Sequence, residues 1–382
     1  MSRLLIKNAN ILVSNNKFIT GDLLVNDNVI EEIGSIKEEE AEDKIDAKGL
    51  KVIPGLIDIH THGGMGIDIV DCSEDELDRL SRFYASNGVT GYLATVGTVS
   101  KDKITASLIK IKESMERGND GAKILGVHME GPYISKEFKG AQNEEDIRKP
   151  DAQEFKEFSR LSGDNIKLIT IAPELEGAID FINTISKEGV VISIGHCGCS
   201  YETSIKAIDA GAKSATHFLN GMKGFHQHEP SIVGAALERD IYCEMICDGR
   251  HLHPGTVKML VKVKGVKKLI MITDSIMAAG LGDGVYDGFI KVIVKDGDAK
   301  LESGSRAGST LTAINALRNV IKFTNIDLVQ AVRMISENPA KLLDIYDKKG
   351  SLEEGKDADM IIVDDNLDLK YTISEGKVTF KA

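Results

Sequence analysis

Eight short apolar runs recur along the middle of the chain, separated by polar and helix-like segments. Strands of a parallel sheet are buried on both faces, so they read as continuous apolar runs rather than as an alternating pattern. The predicted strands cover residues 53–59, 89–95, 123–129, 167–172, 190–196, 213–217, 242–247 and 269–274. Eight repeated strand–helix units predict an α/β fold, a TIM-like (β/α)₈ barrel.

Helix signals occupy the intervals between these runs. Ser73 precedes an amphipathic stretch and Glu76 follows three residues later, which is the pattern of a capping box. The predicted helices include residues 73–87, 202–211, 253–264, 310–323 and 327–335. We expect Asn338-Pro339 to stop the last of them, because proline cannot continue a helix. A glycine-rich stretch and a short β excursion at residues 289–294 follow the eighth strand.

Both ends of the chain are β-rich, with short strand-like pieces and turn-forming residues. The first piece runs to residue 52, and the second follows the last predicted helix. We therefore expect one small β-sandwich domain built from residues 1–52 and 345–382. The barrel, residues 53–344, would then be an insertion between the two halves.

Composition narrows the classes of function. The 382 residues are 42% hydrophobic and 28% charged, and the formal net charge is −12. No Lys/Arg cluster interrupts this acidic balance, which argues against a nucleic-acid surface. Neither a signal peptide nor a membrane span is evident, and five cysteines without a secretion signal favour reduced thiols in the cytoplasm. Cys197 and Cys199 are expected to be small packing residues.

Residues with metal-binding chemistry follow the ends of the predicted strands. His60 and His62 lie on one face of a strand because successive side chains alternate. Barrel active sites lie at the C-terminal ends of the strands. The residues that meet there are His60, His62, Glu130, His196, His217 and Asp274.

Imidazole and carboxylate ligands suit a divalent cation, with Zn²⁺ the first expectation and Fe²⁺ the alternative. The set can hold one metal, or two metals bridged by Glu130. Either arrangement lowers the pKa of a bound water and so generates a nucleophile. Asp274, at the end of the last strand, is placed to act as general acid and base.

These motifs resemble the amidohydrolase superfamily and, more narrowly, the N-acetylglucosamine-6-phosphate deacetylase family. The resemblance covers nearly the whole chain. The segments that carry it are residues 54–62, 127–133, 216–222, 229–236, 248–251, 273–280 and 350–359.

The resemblance implies a metal-dependent hydrolysis of N-acetylglucosamine-6-phosphate to glucosamine-6-phosphate and acetate. It implies that Glu130, His196 and His217 bind the main metal, that His60 and His62 allow a second one, and that Asp274 is the general acid/base. It further implies a homodimer. The expected substrate-binding residues are Ala141, Gln142, Asn220, Gly221, His228, Arg250, His251, Ala307 and Gly308.

Two of these positions depart from the family pattern. Gln142 replaces a substrate-facing His, and His228 stands where the family has an Arg that reaches the phosphate in the neighbouring subunit. A neutral imidazole is a poorer phosphate ligand than a guanidinium. We therefore hypothesise that Arg250 holds the anionic end of the substrate.

Other functions stay open at this point. The substrate could be another N-acyl amino sugar, such as N-acetylgalactosamine-6-phosphate, or a different amide. The third possibility is a non-catalytic scaffold that keeps the barrel but has lost the activity. Metal bound to the purified protein would argue against it.

Overall fold

The computed structural model describes residues 3–14, 16–37, 41–288 and 290–382. Phe289, the first residue of the predicted β excursion, lies outside this part. Among the described residues, no helix has both the length and the apolar character that crossing a bilayer requires.

The chain begins in the sheet formed by the termini. Its first strands are β1 (Arg3–Val13), β2 (Lys17–Asn26), β3 (Val29–Gly34), β4 (Asp43–Asp46) and β5 (Lys51–Pro54). β1, β2 and β3 pair antiparallel in succession, whereas β4 and β5 both pair with β1 in parallel. Apolar side chains from these strands share one buried core with others near the C-terminus.

The middle of the chain forms a second sheet of eight strands, all parallel to their neighbours. They are β6 (Leu56–Thr61), β9 (Val89–Val96), β10 (Lys123–Glu130), β11 (Ile166–Ile171), β12 (Val191–Ile194), β13 (Ala212–Ala215), β14 (Tyr242–Ile246) and β15 (Leu269–Ile272). Their spatial order follows their order in the chain. Each of the eight predicted strands is confirmed.

The two outer strands of this sheet, β6 and β15, meet just beyond the end of β15. The backbone N–H of Asp274 donates to the carbonyl oxygen of His60 at 2.8 Å, and Thr61 pairs with Ser275 as a parallel bridge. The sheet therefore closes on itself, and closure brings residues that lie more than 200 positions apart to one rim. Beside that rim, β7 (Gly63–Gly64) and β8 (Ile67–Asp68) form a small hairpin.

A helix follows every barrel strand. In chain order these helices are α1 (Glu74–Ala85), α2 (Lys101–Arg117), α3 (Ala152–Leu161), α4 (Ala178–Ile185), α5 (Tyr201–Asp209), α6 (Ser231–Glu238), α7 (Pro254–Val263) and α8 (Ala313–Thr324). α1 begins with the predicted capping box, in which the Ser73 hydroxyl accepts from the Glu76 N–H and the Glu76 carboxylate accepts from the Ser73 N–H.

A three-stranded antiparallel sheet separates β15 from α8. Its strands are β16 (Gly284–Tyr286), β17 (Val292–Lys295) and β18 (Asp298–Lys300). β17 lies largely within the predicted excursion at residues 289–294. Residues 304–308, in the loop after β18, lie at the same rim of the barrel as the predicted metal ligands.

The helix after α8 does not stop at Asn338-Pro339, so that prediction is wrong. α9 (Leu328–Val332) passes through a π-helical turn at Arg333–Glu337 into α10 (Asn338–Leu342). Pro339 falls in the first turn of α10, and the wider turn before it avoids the clash that a proline ring causes inside a regular helix.

The last strands, β19 (Met360–Val363), β20 (Leu369–Ser374) and β21 (Lys377–Lys381), return to the first sheet. β19 pairs antiparallel with β5, which joins the two ends of the chain. The predicted fold, a (β/α)₈ barrel with a separate β domain made by both termini, is confirmed, and the strands of that domain form one continuous eight-stranded sheet. The division at residues 52/53 and 344/345 stays a prediction, and the terminal sheet extends to Pro54.

Candidate metal centre

The first three predicted ligands lie at the ends of β6 and β10, which are separated in the barrel by β9. His60 is near the end of β6, and His62 follows one residue after it. Glu130 is the last residue of β10. His60 and Glu130 are almost completely buried. The strands therefore deliver these side chains directly to the C-terminal end of the barrel.

The other three residues share one backbone geometry. His196, His217 and Asp274 each lie two residues beyond the end of a strand, after β12, β13 and β15 respectively. All three have positive φ angles, of 46°, 28° and 49°. Such angles are uncommon for residues other than glycine and often mark functional sites. The left-handed turn redirects the chain at the rim and leaves each side chain facing the barrel axis.

One oxygen of Glu130 is the meeting point of three imidazoles. Its Oε1 atom lies 3.0 Å from Nε2 of His196, 3.1 Å from Nε2 of His217 and 3.3 Å from Nε2 of His60. The Nε2 atoms of His196 and His217 are themselves only 3.0 Å apart. The other oxygen, Oε2, lies 3.3 Å from Nε2 of His62. Glu130 thus faces both groups of imidazoles.

The second ring nitrogens show which atoms point into the site. Nδ1 of His196 donates to the carbonyl oxygen of Phe138 at 2.8 Å, and Nδ1 of His217 donates to that of Asn220 at 3.1 Å. Each Nε2 atom of a neutral ring therefore turns a lone pair toward the Glu130 carboxylate. Two lone pairs and an anionic oxygen gathered within about 3 Å suit a shared cation. The donor set fits a divalent metal.

The carboxylates make the site strongly electronegative. Burial alone would lower the pKa of His62, but contacts with Asp274 and Glu130 raise it to about 9. Burial would likewise raise the pKa of Glu130, but the charges and hydrogen bonds of the imidazoles, His60 first, hold it well below its usual value. The potential that stabilises protons on these rings also stabilises a divalent cation.

Glu244 is a site residue that the sequence analysis missed. It is fully buried in β14, where its Oε2 atom lies 3.3 Å from Nδ1 of His60 and 3.2 Å from the backbone N of His217. Its Oε1 atom has no hydrogen-bond partner among the described residues. A carboxylate behind a ligating imidazole orients the ring and increases its basicity. The sequence feature that could have indicated Glu244 is a single carboxylate inside an otherwise apolar predicted strand.

Gln142, predicted to face the substrate, also contacts a predicted metal ligand. Its amide nitrogen donates to Oε2 of Glu130 at 2.6 Å, and its amide oxygen accepts from the backbone N of Thr98 at 2.5 Å. The side chain lines the cavity above the metal ligands. Gln142 therefore fixes the orientation of the Glu130 carboxylate in addition to bordering the space for a substrate.

A cavity of about 360 Å³ opens over the metal ligands. This volume is in the range of small-molecule sites. Most of the predicted substrate residues line it, and these are Ala141, Gln142, Asn220, Gly221, His251, Ala307 and Gly308. His251 is held by Asp248, whose Oδ2 atom lies 2.7 Å from Nδ1 of the ring.

Two predicted substrate residues are not among those that line the cavity. His228 is on an exposed loop, where its ring packs beside that of His226. The guanidinium of Arg250 donates to the carbonyl oxygen of Asp296 in the turn between β17 and β18. Arg250 as the ligand for the anionic end of the substrate therefore stays a prediction, and its side chain is not among those that line the cavity.

Cys197 and Cys199 form a separate cluster behind His196. Both are buried, their sulfur atoms are 3.6 Å apart, and Glu174 is the nearest carboxylate. The hydrogen bond with Cys199 and burial raise the pKa of Cys197 well above its usual value. A thiol that is protonated at neutral pH is a poor metal ligand, which agrees with the expected packing role.

Comparison with known proteins supports this geometry. A model of the amidohydrolase family matches residues 51–379. The chain is 38% identical over 384 residues to the N-acetylglucosamine-6-phosphate deacetylase of Bacillus subtilis (strain 168), which covers 99% of this chain and 97% of that protein. It is 34% identical over 327 residues to the N-acetylgalactosamine-6-phosphate deacetylase of Escherichia coli O157:H7, with 85% and 86% covered.

A solved structure gives the same picture. The crystal structure of N-acetylglucosamine-6-phosphate deacetylase from Thermotoga maritima matches with a TM-score of 0.90 at 35% identity, covering 99% of this chain and 100% of that one. This chain belongs to the amidohydrolase family. Within the family it is similar over nearly its whole length to N-acetylglucosamine-6-phosphate deacetylases, which confirms the resemblance that its motifs indicated.

Proposed function

We propose that this chain is a metal-dependent deacetylase that hydrolyses N-acetylglucosamine-6-phosphate to glucosamine-6-phosphate and acetate. The observation that carries the proposal is the convergence of four imidazoles, Glu130 and Asp274 at the base of one cavity. The chain is similar to deacetylases of phosphorylated amino sugars along almost its full length.

A divalent metal, when bound, lowers the pKa of a water molecule toward 7 and polarises a carbonyl oxygen. Glu130, His196 and His217 would hold the main ion, and His60 with His62 would hold a second. We propose Zn²⁺, with Fe²⁺ as the alternative, because both accept mixed imidazole and carboxylate ligands.

Asp274 is positioned as the general acid/base. Its backbone N–H donates to His60, and its carbonyl oxygen accepts from Ser309 at 2.7 Å, so the residue is held on both sides. Its Oδ1 atom lies 3.4 Å from Nε2 of His62 and 3.6 Å from Nε2 of His60. From this position the carboxylate can take a proton from the attacking water and return it to the leaving amine nitrogen.

The remaining lining residues would orient the sugar. Asn220 and Gly221 follow His217 directly, so their backbone groups lie beside the metal ligands. Ala307 and Gly308 form the opposite wall, and a Cβ atom on Gly308 would lie 2.9 Å from the carbonyl oxygen of Asp274. The absence of a side chain at residue 308 therefore lets this loop pack directly against the backbone of Asp274.

The test is acetate release by the metal-loaded protein from N-acetylglucosamine-6-phosphate and, in parallel, from N-acetylglucosamine. We expect the phosphorylated sugar to be the better substrate, and we expect Asp274→Asn to reduce kcat by about 10²–10⁴-fold. Metal content measured by plasma mass spectrometry must be the same in both proteins. If Asp274→Asn binds metal normally and keeps its kcat, the assigned role of Asp274 is wrong.

The second candidate substrate is N-acetylgalactosamine-6-phosphate, because one close relative is named for it. The two sugars differ only in configuration at C4, so the ratio of their kcat/KM values decides between them. Turnover of neither sugar by metal-loaded protein would direct the search to other amides. Absence of bound metal as well would favour a non-catalytic barrel.

Three further properties stay predictions. A homodimer is expected from the resemblance, and sedimentation of the purified protein tests it. Location in the cytoplasm is expected from the reduced cysteines. The separation into a terminal β domain and a barrel is expected to appear in limited proteolysis as cuts near residues 52 and 345, which give three fragments.

A further inference from the structure

Arg306 lies at the rim of the cavity, in the loop that follows β18. Within the described part of the chain, it is the one Lys or Arg residue that borders this cavity. The other residues there with ionisable basic groups are histidines, three of which are predicted metal ligands. A substrate with a phosphate group brings a localised negative charge into this space, and a planar guanidinium is the side chain best suited to bind it.

The surroundings of Arg306 leave positive charge in excess. Nε and Nη2 of Arg306 donate to the carboxylate of Asp298 at 2.9 and 3.2 Å, and Nζ of Lys300 lies 3.0 Å from the same carboxylate. Two cations therefore share one anion. No hydrogen bond involves Nη1 of Arg306 among the described residues. This edge of the guanidinium can therefore donate hydrogen bonds to a second anion.

The loop geometry places Arg306 at a suitable distance from the reacting groups. The N–H of Ser309 donates to the carbonyl oxygen of Asp274, and the N–H of Ala307 donates to that of Ala299 at 3.2 Å. An extended residue advances about 3.3 Å along the chain. The backbone of Arg306 therefore lies no more than about 10 Å from that of Ser309, and so it stays close to Asp274.

The other residues that the sequence analysis connects with the phosphate are Arg250, His251 and His228. Arg250 binds the turn between β17 and β18, and His251, the next residue, lines the cavity. Arg250 is held outside the cavity, whereas Arg306 borders it. His228, which replaces the Arg of related proteins, offers no permanent charge.

We propose that Arg306 binds the anionic group of the substrate and thereby determines specificity for a phosphorylated sugar. This inference rests on the proposed function. The contact is a charge-assisted hydrogen bond to a doubly charged group, far from the bond that is hydrolysed. It therefore contributes to substrate binding and leaves the chemical step unaltered.

The experiment compares Arg306→Ala with the unaltered, metal-loaded protein. For N-acetylglucosamine-6-phosphate, KM should rise about 10- to 100-fold while kcat changes little, because a hydrogen bond to a charged group is being removed. For N-acetylglucosamine, kcat/KM should stay the same. Inorganic phosphate should inhibit the turnover of N-acetylglucosamine less strongly in Arg306→Ala than in the unaltered protein. Arg306→Lys, which keeps the charge but not the planar fork, should be intermediate.

Asp298→Asn is the matched control. It breaks the same ion pair as Arg306→Ala but leaves the guanidinium in place. If Arg306 only supports the loop through Asp298, both variants should raise KM alike. If Arg306 binds the phosphate, Asp298→Asn should leave KM for the phosphorylated sugar unchanged or lower it.

The outcomes separate this inference from the proposed function. Failure of the unaltered protein to deacetylate either sugar overturns both. Normal turnover with an unchanged KM in Arg306→Ala overturns only the role of Arg306. A rise in KM in Arg250→Ala but not in Arg306→Ala also overturns it and supports the earlier hypothesis for Arg250.

Discussion

Three residues of the predicted metal centre adopt backbone conformations that are unfavourable for residues other than glycine. The positive φ angles of His196, His217 and Asp274 each cost about 1–3 kcal/mol. All three residues lie two positions beyond a barrel strand, where the chain must turn from the strand toward the next helix. The strain is tolerated because the hydrogen bonds of the rim, such as Asp274 to His60, hold the turns in place.

At the same scale, Glu244 should control how well His60 binds metal. We expect Glu244→Leu to weaken binding of the second metal about 10- to 100-fold, because His60 loses the carboxylate that orients its ring. The measurement is the metal-to-protein ratio after dialysis against buffers of defined free metal concentration.

Ser214→Ala is the control for this variant. Ser214 is in the neighbouring strand β13, is fully buried, and its hydroxyl also lacks a partner among the described residues. It should bind metal like the unaltered protein. An unchanged metal ratio in Glu244→Leu would show that His60 needs no such partner.

The residues of the site could be predicted where the neighbouring sequence shows a recognisable pattern. The six predicted metal-centre residues follow apolar runs, and all of them meet at the barrel rim. Glu244 and Arg306 were not predicted, because their partners lie elsewhere in the chain. Glu244 contacts His60, which is 184 residues away. The local pattern around Glu244 is only that of a buried strand.

At the scale of elements, the barrel depends on close packing where β5 passes into β6. Gly55 stands between these strands, and a Cβ atom there would lie 2.2 Å from Oγ1 and 2.7 Å from Cβ of the buried Thr90. Its backbone N–H donates to Asp359, and its carbonyl oxygen accepts from Ser336. These contacts tie the terminal sheet and the last helices to the strand that carries His60.

We expect Gly55→Ala to lower the free energy of unfolding by about 1–3 kcal/mol, because the added methyl group has no space. Displacement of β6 should also reduce metal binding. Thermal unfolding and the metal ratio are the two measurements.

Gly34→Ala serves as the comparison. A Cβ atom at Gly34 would contact nothing within 4 Å, so this variant should stay within about 0.5 kcal/mol of the unaltered protein. Equal stability of both variants would contradict the packing argument at Gly55.

The elements themselves were largely predictable, with boundaries shifted by a few residues. The predicted helix at residues 253–264 is observed as α7, Pro254–Val263. A proline usually ends a helix, so Asn338-Pro339 predicts a helix end. A π-helical turn before it instead lets the chain enter a new helix there. Periodicity does not reveal such a turn, since it depends on how the helix packs against β15.

At the scale of the whole molecule, the metal centre connects strands from most of the barrel. Its predicted ligands come from β6 and β10 and from the turns after β12, β13 and β15. An ion bound there should therefore stabilise the native state against global unfolding. A ligand at a thousand times its dissociation constant contributes about 4 kcal/mol.

We expect a chelator to lower the melting temperature by several degrees, and added Zn²⁺ to restore it. Calorimetry at one scan rate is the measurement. The double variant His196→Ala with His217→Ala is the control, and its melting temperature should respond little to either treatment. Equal melting temperatures of the loaded and chelated protein would contradict a structural contribution from the metal.

The (β/α)₈ barrel, the β domain of the two termini and the six predicted metal-centre residues all follow from the amino-acid sequence. These features depend on local patterns, namely apolar runs and the chemistry at their ends. Which charged residues border the cavity depends instead on the tertiary structure. Arg250 binds Asp296 outside the cavity, whereas Arg306 borders it, because the strands β16 to β18 fold back over the barrel rim. Contacts between distant segments arise from that packing, and no local pattern encodes them.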